Sequence, residues 1–377
     1  MYLAAIIVFL LCLIVSFIAV TGRNDSPHFW MMVGLFISLF YSCVFGLRTL
    51  DSGIDTNYYA YAFSHLSGND YYWEPGFYWL TYFIHLFIEN PKIYIYLLAL
   101  INCFLIFVAA VYCSNKKYFS IPLIQILIFS SFAFFDLTTN GLRQGTGLSL
   151  GLIGAVIYIY KSKILGLLIL LFATLFHTSV LIMLLCLVVS RYFVNQLQSN
   201  KVYEKIFILV LFFFVFVVIF GVDIFGIISK NLALPLFMEE YFVLRKTSNS
   251  IIFYSQVSKG SFGSLNFFGV FVAVVSMVFP IIFYIYYRSK FNKHINIVFV
   301  CYGLLLIFYC IMAYQGFSYR YNYVLSIFTP VLFHEYLETK NEVNKKSLYA
   351  IIIILSAFYS CVFVWFSKQG GGISYGI

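Results

Sequence analysis

Apolar runs of 17 residues or more follow one another along almost the whole chain, and each can cross a hydrocarbon core ~30 Å thick. In lipid every backbone N–H and C=O needs an internal partner, so such runs can only become helices or the strands of a closed barrel. Here they are continuous, not alternating in hydrophobicity, which selects helices. Only 10% of the 377 residues are charged, where a soluble domain carries roughly 25%. The fold class is therefore all-α: a polytopic integral membrane helical bundle, forming one transmembrane domain over residues 1–377.

About 12 membrane segments can be drawn: 2–20, 29–46, 93–113, 118–135, 144–160, 164–176, 179–190, 205–222, 264–287, 295–313, 322–337 and 348–366. The aromatic stretch 75–90, bounded by Pro75 and Pro91, reads as a juxtamembrane helix. The first run has no basic residues before it and no small-residue cleavage site after it, so it reads as a retained helix. Orientation follows from lysine and arginine in short loops. Lys116 and Lys117, Lys161 and Lys163, Arg288, Lys290 and Lys293, and Lys345 and Lys346 fall on one, cytoplasmic side only if 164–190 forms two short arms meeting near His177. Arms of ~13 residues rise only ~20 Å, so the turn His177-Thr178-Ser179 would line a cavity within the membrane. Of the 23 basic residues, 14 are then cytoplasmic, and Arg48, Lys92, Arg143, Lys230, Arg245, Lys246, Lys259, Arg320 and Lys368 are external. Two larger external loops result, about 47–91 and 223–262.

The formal charge of +9 is spread over these loops and forms no stripe, which argues against a nucleic-acid partner. Eight cysteines lie in or beside apolar segments with no CxxC pair, giving neither a disulfide framework nor a zinc site. Phosphate-binding, dinucleotide-binding and hydrolase motifs are absent from the sequence, so no nucleotide-driven reaction and no cofactor is indicated.

Five polar groups stand at helix mouths on the external side. They are Arg48-Thr-Leu-Asp51 with Asp55 to Tyr59, Trp73-Glu74-Pro75-Gly76-Phe77, Asp136 with Asn140-Gly-Leu-Arg143-Gln144-Gly145, Phe176-His177-Thr178-Ser179, and Tyr319-Arg320-Tyr321-Asn322-Tyr323. Arg143, between two apolar segments, costs several kcal/mol if it faces lipid. It falls in the first turn of its helix, where orphan N–H groups and the dipole favour an anion. Its guanidinium fork matches phosphate oxygens. Arg48 and Arg320, with Asn140 and Gln144, would complete a diphosphate site. The plainer alternative pairs Arg48 with Asp51 or Asp55, and Arg143 with Asp136. Asp55, Glu74 and His177 are the candidate general bases; Glu74 could equally serve a helix start, and His177 a structural hydrogen bond. Asp51 and Asp55 lack a third ligand, so no metal site is assigned. Tyr58, Tyr59, Tyr72 and Trp73 crowd a polar loop, as aromatic faces that stack on sugars do, although interfacial anchoring accounts for them too.

The ordered set Arg48…Asp55…Tyr58, Glu74-Pro75-Gly76-Phe77, Asn140-Gly141-Leu142-Arg143-Gln144-Gly145, Phe176-His177-Thr178-Ser179 and Arg320…Tyr323 resembles the EpsG-like family, related to the Wzy O-antigen polymerases. The resemblance runs over about residues 46–330. It implies a GT-C-like integral-membrane glycosyltransferase that joins oligosaccharide repeats carried on undecaprenyl diphosphate at the outer face of the inner membrane. Donor and acceptor are then both lipid-linked oligosaccharides, and a chain-length regulator and the repeat-unit flippase are expected partners. Rival readings are a flippase for such lipids, which should show two-fold internal repeats, and a ligase or O-acetyltransferase differing in acceptor.

Overall fold

The structure, a computed structural model, describes residues 26–50, 55–66, 73–115, 117–129, 131–199, 201–224, 277–286, 293–313 and 318–337, with isolated positions 10, 14 and 227. Among the described residues every regular element is a helix. Proline and short polar residues set the helix starts. Pro27, Pro75 and Pro91 open α1 (Pro27–Gly46), α3 (Pro75–His85) and α4 (Pro91–Cys113), positions where the missing N–H has no intrahelical partner to lose. Asn90 caps α4 by accepting from Lys92 N at 2.9 Å. α2 (Thr56–Ser64) lies between α1 and α3.

Five described helices are long and apolar enough to cross a membrane: α1, α4, α7 (Leu142–Tyr160), α9 (Val180–Ser199, over Val180–Leu197) and α10 (Lys201–Ile219). The segment expected to run unbroken over 118–135 is instead two helices, α5 (Ser120–Phe129) and α6 (Phe132–Thr139), bent by 71°. Ser131 makes the break by accepting from Phe134 N and restarting the chain as α6. Counted as one span, the pair brings the number of candidate spans to six. α11 (Met277–Tyr286), α12 (Lys293–Met312) and α13 (Ser318–Leu337) complete the described part. The expected segment 348–366, nearly all of 2–20 and of the loop 223–262, and most of 264–287 lie outside the described residues. A helical membrane protein is the result.

The two arms expected over 164–190 are α8 (Lys163–Thr174) and α9. α8 is short, but α9 runs on to Ser199, beyond the expected end at 190. Arg191 lies over the ring of Tyr158, 5.4 Å from its centroid, so it is level with the last turn of α7. The extra residues of α9 continue past that level.

α7 is the helix around which the others assemble. Nearly all of it is buried, and it packs on α4, α6, α8, α9, α12 and α13. A β carbon at Gly154 would stand 2.9 Å from the Leu170 backbone nitrogen and 3.1 Å from the Gly166 carbonyl, so the pair of glycines lets α7 and α8 meet backbone to backbone. Gln125 donates to the Gly34 carbonyl and to Ser38 Oγ, while Ser38 donates to the Cys103 carbonyl, tying α1, α4 and α5 together. A second, smaller aromatic core joins α2, α3 and the start of α4 to Leu142 and Phe176. It brings three distant parts of the chain to the first turn of α7.

Candidate active site

The corner between α6 and α7 carries the polar block of the sequence. Asn140 and Gly141 both donate backbone N–H groups to the Asp136 carbonyl, which closes α6. α7 begins after Gly141 with no side chain capping its start, leaving the positive end of the helix to the groups around it. Arg143, one residue in, points its fork at α2 and α3. Its Nη1 lies 2.7 Å from Glu74 Oε2, and its Nε donates to Tyr59 Oη at 3.3 Å. Nη2 has no hydrogen bond among the described residues and is not buried. About a fifth of each side chain of the ion pair is exposed, 22% for Arg143 and 20% for Glu74. The ion pair is thus half-buried, neither core nor free surface.

His177 sits on the other side of Glu74. Its Nε2 is 4.0 Å from Glu74 Oε1, so the two carboxylate oxygens face two different basic groups. The ring is buried and held from behind by Ser179, whose backbone N–H donates to Nδ1 at 3.2 Å and whose Oγ is 2.8 Å from the same atom. Gln144 Nε2 donates to that hydroxyl at 3.3 Å. Two close approaches set this geometry. Gly76 N donates to the Leu175 carbonyl at 2.8 Å, fastening the start of α3 to the α8–α9 turn. On α7, a β carbon at Gly147 would come within 2.9 Å of His177 Cβ.

Behind Arg143 stands an aromatic wall. Tyr59, Trp73 and Phe77 lie 5.3 to 5.9 Å apart between ring centroids. Burial pushes the Tyr59 phenol above its usual range, keeping it a neutral partner for Arg143. Tyr59 and Trp73 are buried, whereas Tyr58 is 51% exposed. Of the aromatics expected to stack on sugar, Tyr58 therefore presents an open ring and the other two are built into the wall; Tyr72 lies outside the described residues.

A second polar centre lies on the α6 side of the corner. Arg48 donates to the Phe45 carbonyl, to Thr56 Oγ1 at 3.2 Å and to the Thr139 carbonyl at 3.0 Å. Burial lowers it to about 10, so it stays a cation at neutral pH. Thr56 also donates to the Thr139 carbonyl. The buried carboxylate of Asp136 accepts from Asn140 Nδ2 at 2.6 Å and from Tyr323 Oη of α13. One plainer pairing from the sequence is thus replaced: Arg143 pairs with Glu74, not Asp136. Arg48 clasps helix ends, and Asp51, one of its expected partners, lies outside the described residues.

Glu74, Arg143, Gln144 and His177 are brought together, with Asn140 at the adjoining corner. Asp55 is exposed at the start of α2, near enough to Tyr59 and Asp136 for its charge to act on both. Arg320 lies in the first turn of α13, one turn before Tyr323, and its side chain is outside the described residues. The roles of Ser179 and Tyr323 were not read from the sequence. A serine two residues after a histidine is a local hydrogen-bonding pattern that could have flagged the first; nothing local could have flagged the second.

The EpsG family model matches residues 31–376, nearly the whole chain and every residue of the site. The chain belongs to the EpsG family. No curated protein and no solved structure matches it. The EpsG-like family includes Wzy-type polymerases, and membership carries a membrane glycan polymerase-like, glycosyltransferase-type function to this chain. In this EpsG-family chain Glu74, Arg143 and His177 are titratable groups that meet among the described residues.

Proposed function

We propose that the chain is a GT-C-like polysaccharide polymerase of about 12 transmembrane helices. It joins O-antigen-type oligosaccharide repeats carried on undecaprenyl diphosphate, at the periplasmic face of the inner membrane. The observation that supports this reading is a half-buried carboxylate, Glu74, held between an arginine at a helix start and a buried histidine. The acceptor sugar hydroxyl attacks the anomeric carbon of the lipid-linked chain, and the bond from that carbon to the phosphate oxygen breaks. Undecaprenyl diphosphate leaves with the bonding electrons. Arg143 Nη2 and the positive end of α7 stabilise the charge developing on that leaving group, and the acceptor proton passes to Glu74. An arriving diphosphate competes with Glu74 for Arg143 and so releases the carboxylate as base at the moment it is needed. Tyr58 offers an open ring to the sugar. Arg48 and Asn140, engaged with the α6–α7 corner, support the diphosphate site by fixing its shape, and Arg320, at the start of α13, is the remaining diphosphate ligand of this reading. Asp55 is exposed and has the weaker case as base. A chain-length regulator and the repeat-unit flippase are the expected partners.

Deleting the gene and resolving surface polysaccharide on a gel tests the reading. A single-repeat band in place of a ladder is expected. Loss of every repeat from the surface would make the protein a flippase instead. Arg143→Ala should reproduce the deletion while the protein remains in the membrane.

A further inference from the structure

The tautomer of His177 can be read from its neighbours, and it decides what the ring is able to do. A backbone N–H has no lone pair and can only donate, so the nitrogen that Ser179 N faces, Nδ1, is an acceptor. The Ser179 hydroxyl, 2.8 Å from the same nitrogen, must then donate as well. Its own acceptor side is taken by Gln144 Nε2 at 3.3 Å, which turns the hydroxyl hydrogen toward the ring. In the neutral imidazole the proton therefore sits on Nε2, the nitrogen 4.0 Å from Glu74 Oε1.

We infer that Ser179 and Gln144 are positioning residues that lock His177 as a donor toward Glu74, which removes His177 from the candidate bases and leaves Glu74 in that role. This rests on the proposed glycosyl transfer. With Nδ1 occupied and Nε2 protonated, the ring has no lone pair for an acceptor proton. What it offers is an N–H that takes over one oxygen of Glu74 when Arg143 turns to the diphosphate. Gln144, placed by sequence among the diphosphate ligands, acts through Ser179 instead. Gly147 keeps the assembly tight, because a side chain there would displace the His177 backbone.

The test is ¹⁵N NMR of the full chain in detergent, with histidine ring nitrogens labelled and the His177 signals assigned by their loss in His177→Gln. The wild type should show Nε2 protonated and Nδ1 as a hydrogen-bonded acceptor. Ser179→Ala should shift the tautomer ratio by about fivefold toward Nδ1–H, the worth of one hydrogen bond, and Ser179→Thr should restore it. A His177 signal with Nδ1 protonated in the wild type, or one unmoved by Ser179→Ala, overturns the lock. Because no substrate is present, failure here is separate from failure of the polymerase reading, which the gel decides. In turnover assays Ser179→Ala should lower kcat with KM unchanged; a rise in KM alone would place Ser179 in substrate binding and overturn the assignment.

Discussion

Replacing Glu74 by glutamine should move catalysis and product affinity in opposite directions. The substitution keeps the shape of the side chain and removes its charge beside Arg143, where Nη1 and Oε2 are 2.7 Å apart. If Glu74 is the base, turnover falls by roughly 10²- to 10⁴-fold. The same carboxylate also opposes the diphosphate. A phosphate charge reaching the open Nη2 would stand ~6 Å from it, and two unit charges at that distance repel by roughly 3 kcal/mol at an effective dielectric of ~20. The pair is about one-fifth exposed, so screening leaves about 1–2 kcal/mol, or five- to thirtyfold tighter binding. Undecaprenyl diphosphate, the leaving group without its sugar, is the probe. Binding can be followed by fluorescence of the adjacent, buried Trp73, with ladder formation by the same preparation measuring turnover. A glutamine variant that turns over normally and binds the lipid no more tightly would refute both roles and leave Glu74 a structural partner of Arg143.

Other substitutions separate charge from packing. Arg143→Lys keeps a cation but loses the fork to Tyr59 and Glu74, and should raise KM for the lipid-linked substrate at least tenfold while membrane levels stay constant. Gly147→Ala places a methyl group 2.9 Å from His177 Cβ; thermal unfolding in detergent should report ~1–3 kcal/mol of lost stability, and ladders should shorten. Tyr323→Phe removes one of the two donors to the buried Asp136 carboxylate and should cost about 1–3 kcal/mol in the same assay. Arg48→Ala strips donors from the Phe45 and Thr139 carbonyls, with a similar loss of stability in the same assay.

The places where polar residues interrupt the apolar runs were legible because proline, glycine and helix-start chemistry mark them. Glu74-Pro75-Gly76, Asn140-Gly141 and His177-Thr178-Ser179 all fall at helix starts or turns in the structure. Which group would meet which was not legible. Arg143 and Asp136 are neighbours in sequence, whereas Glu74 is 69 residues away and reaches Arg143 because Gly76 docks on Leu175. The break before α6 was hidden for a different reason: hydropathy sees only apolar residues on both sides, and the sequence signal is the single pair Ser130-Ser131. α9 ran past its expected end because hydropathy marks where lipid ends, not where the helix does. Trp73 and Tyr59 looked like exposed rings because their loop is polar, yet burial among α2, α3 and α4 was decided by partners elsewhere in the chain.

One stretch, Gly141 to Gly154, explains why charge and close packing coincide at this corner. A helix start left open by glycine concentrates positive potential where Arg143 adds a full charge. Such a charge needs a counter-group, and Glu74 must be carried to it on another helix. That helix can approach only if the turn it docks on, at Leu175 to His177, lies close to α7. Gly147 permits this by leaving room for His177, while Gly145 leaves room for the Leu137 carbonyl of α6 and Gly151 for Val180 at the start of α9. Larger residues at these positions would push α6 and the His177 turn outward and draw Glu74 away from Arg143. The small residues are therefore part of the site, although none of them carries a functional group. Their spacing along one helix sets the distances between Arg143, Glu74 and His177 as surely as the charges do.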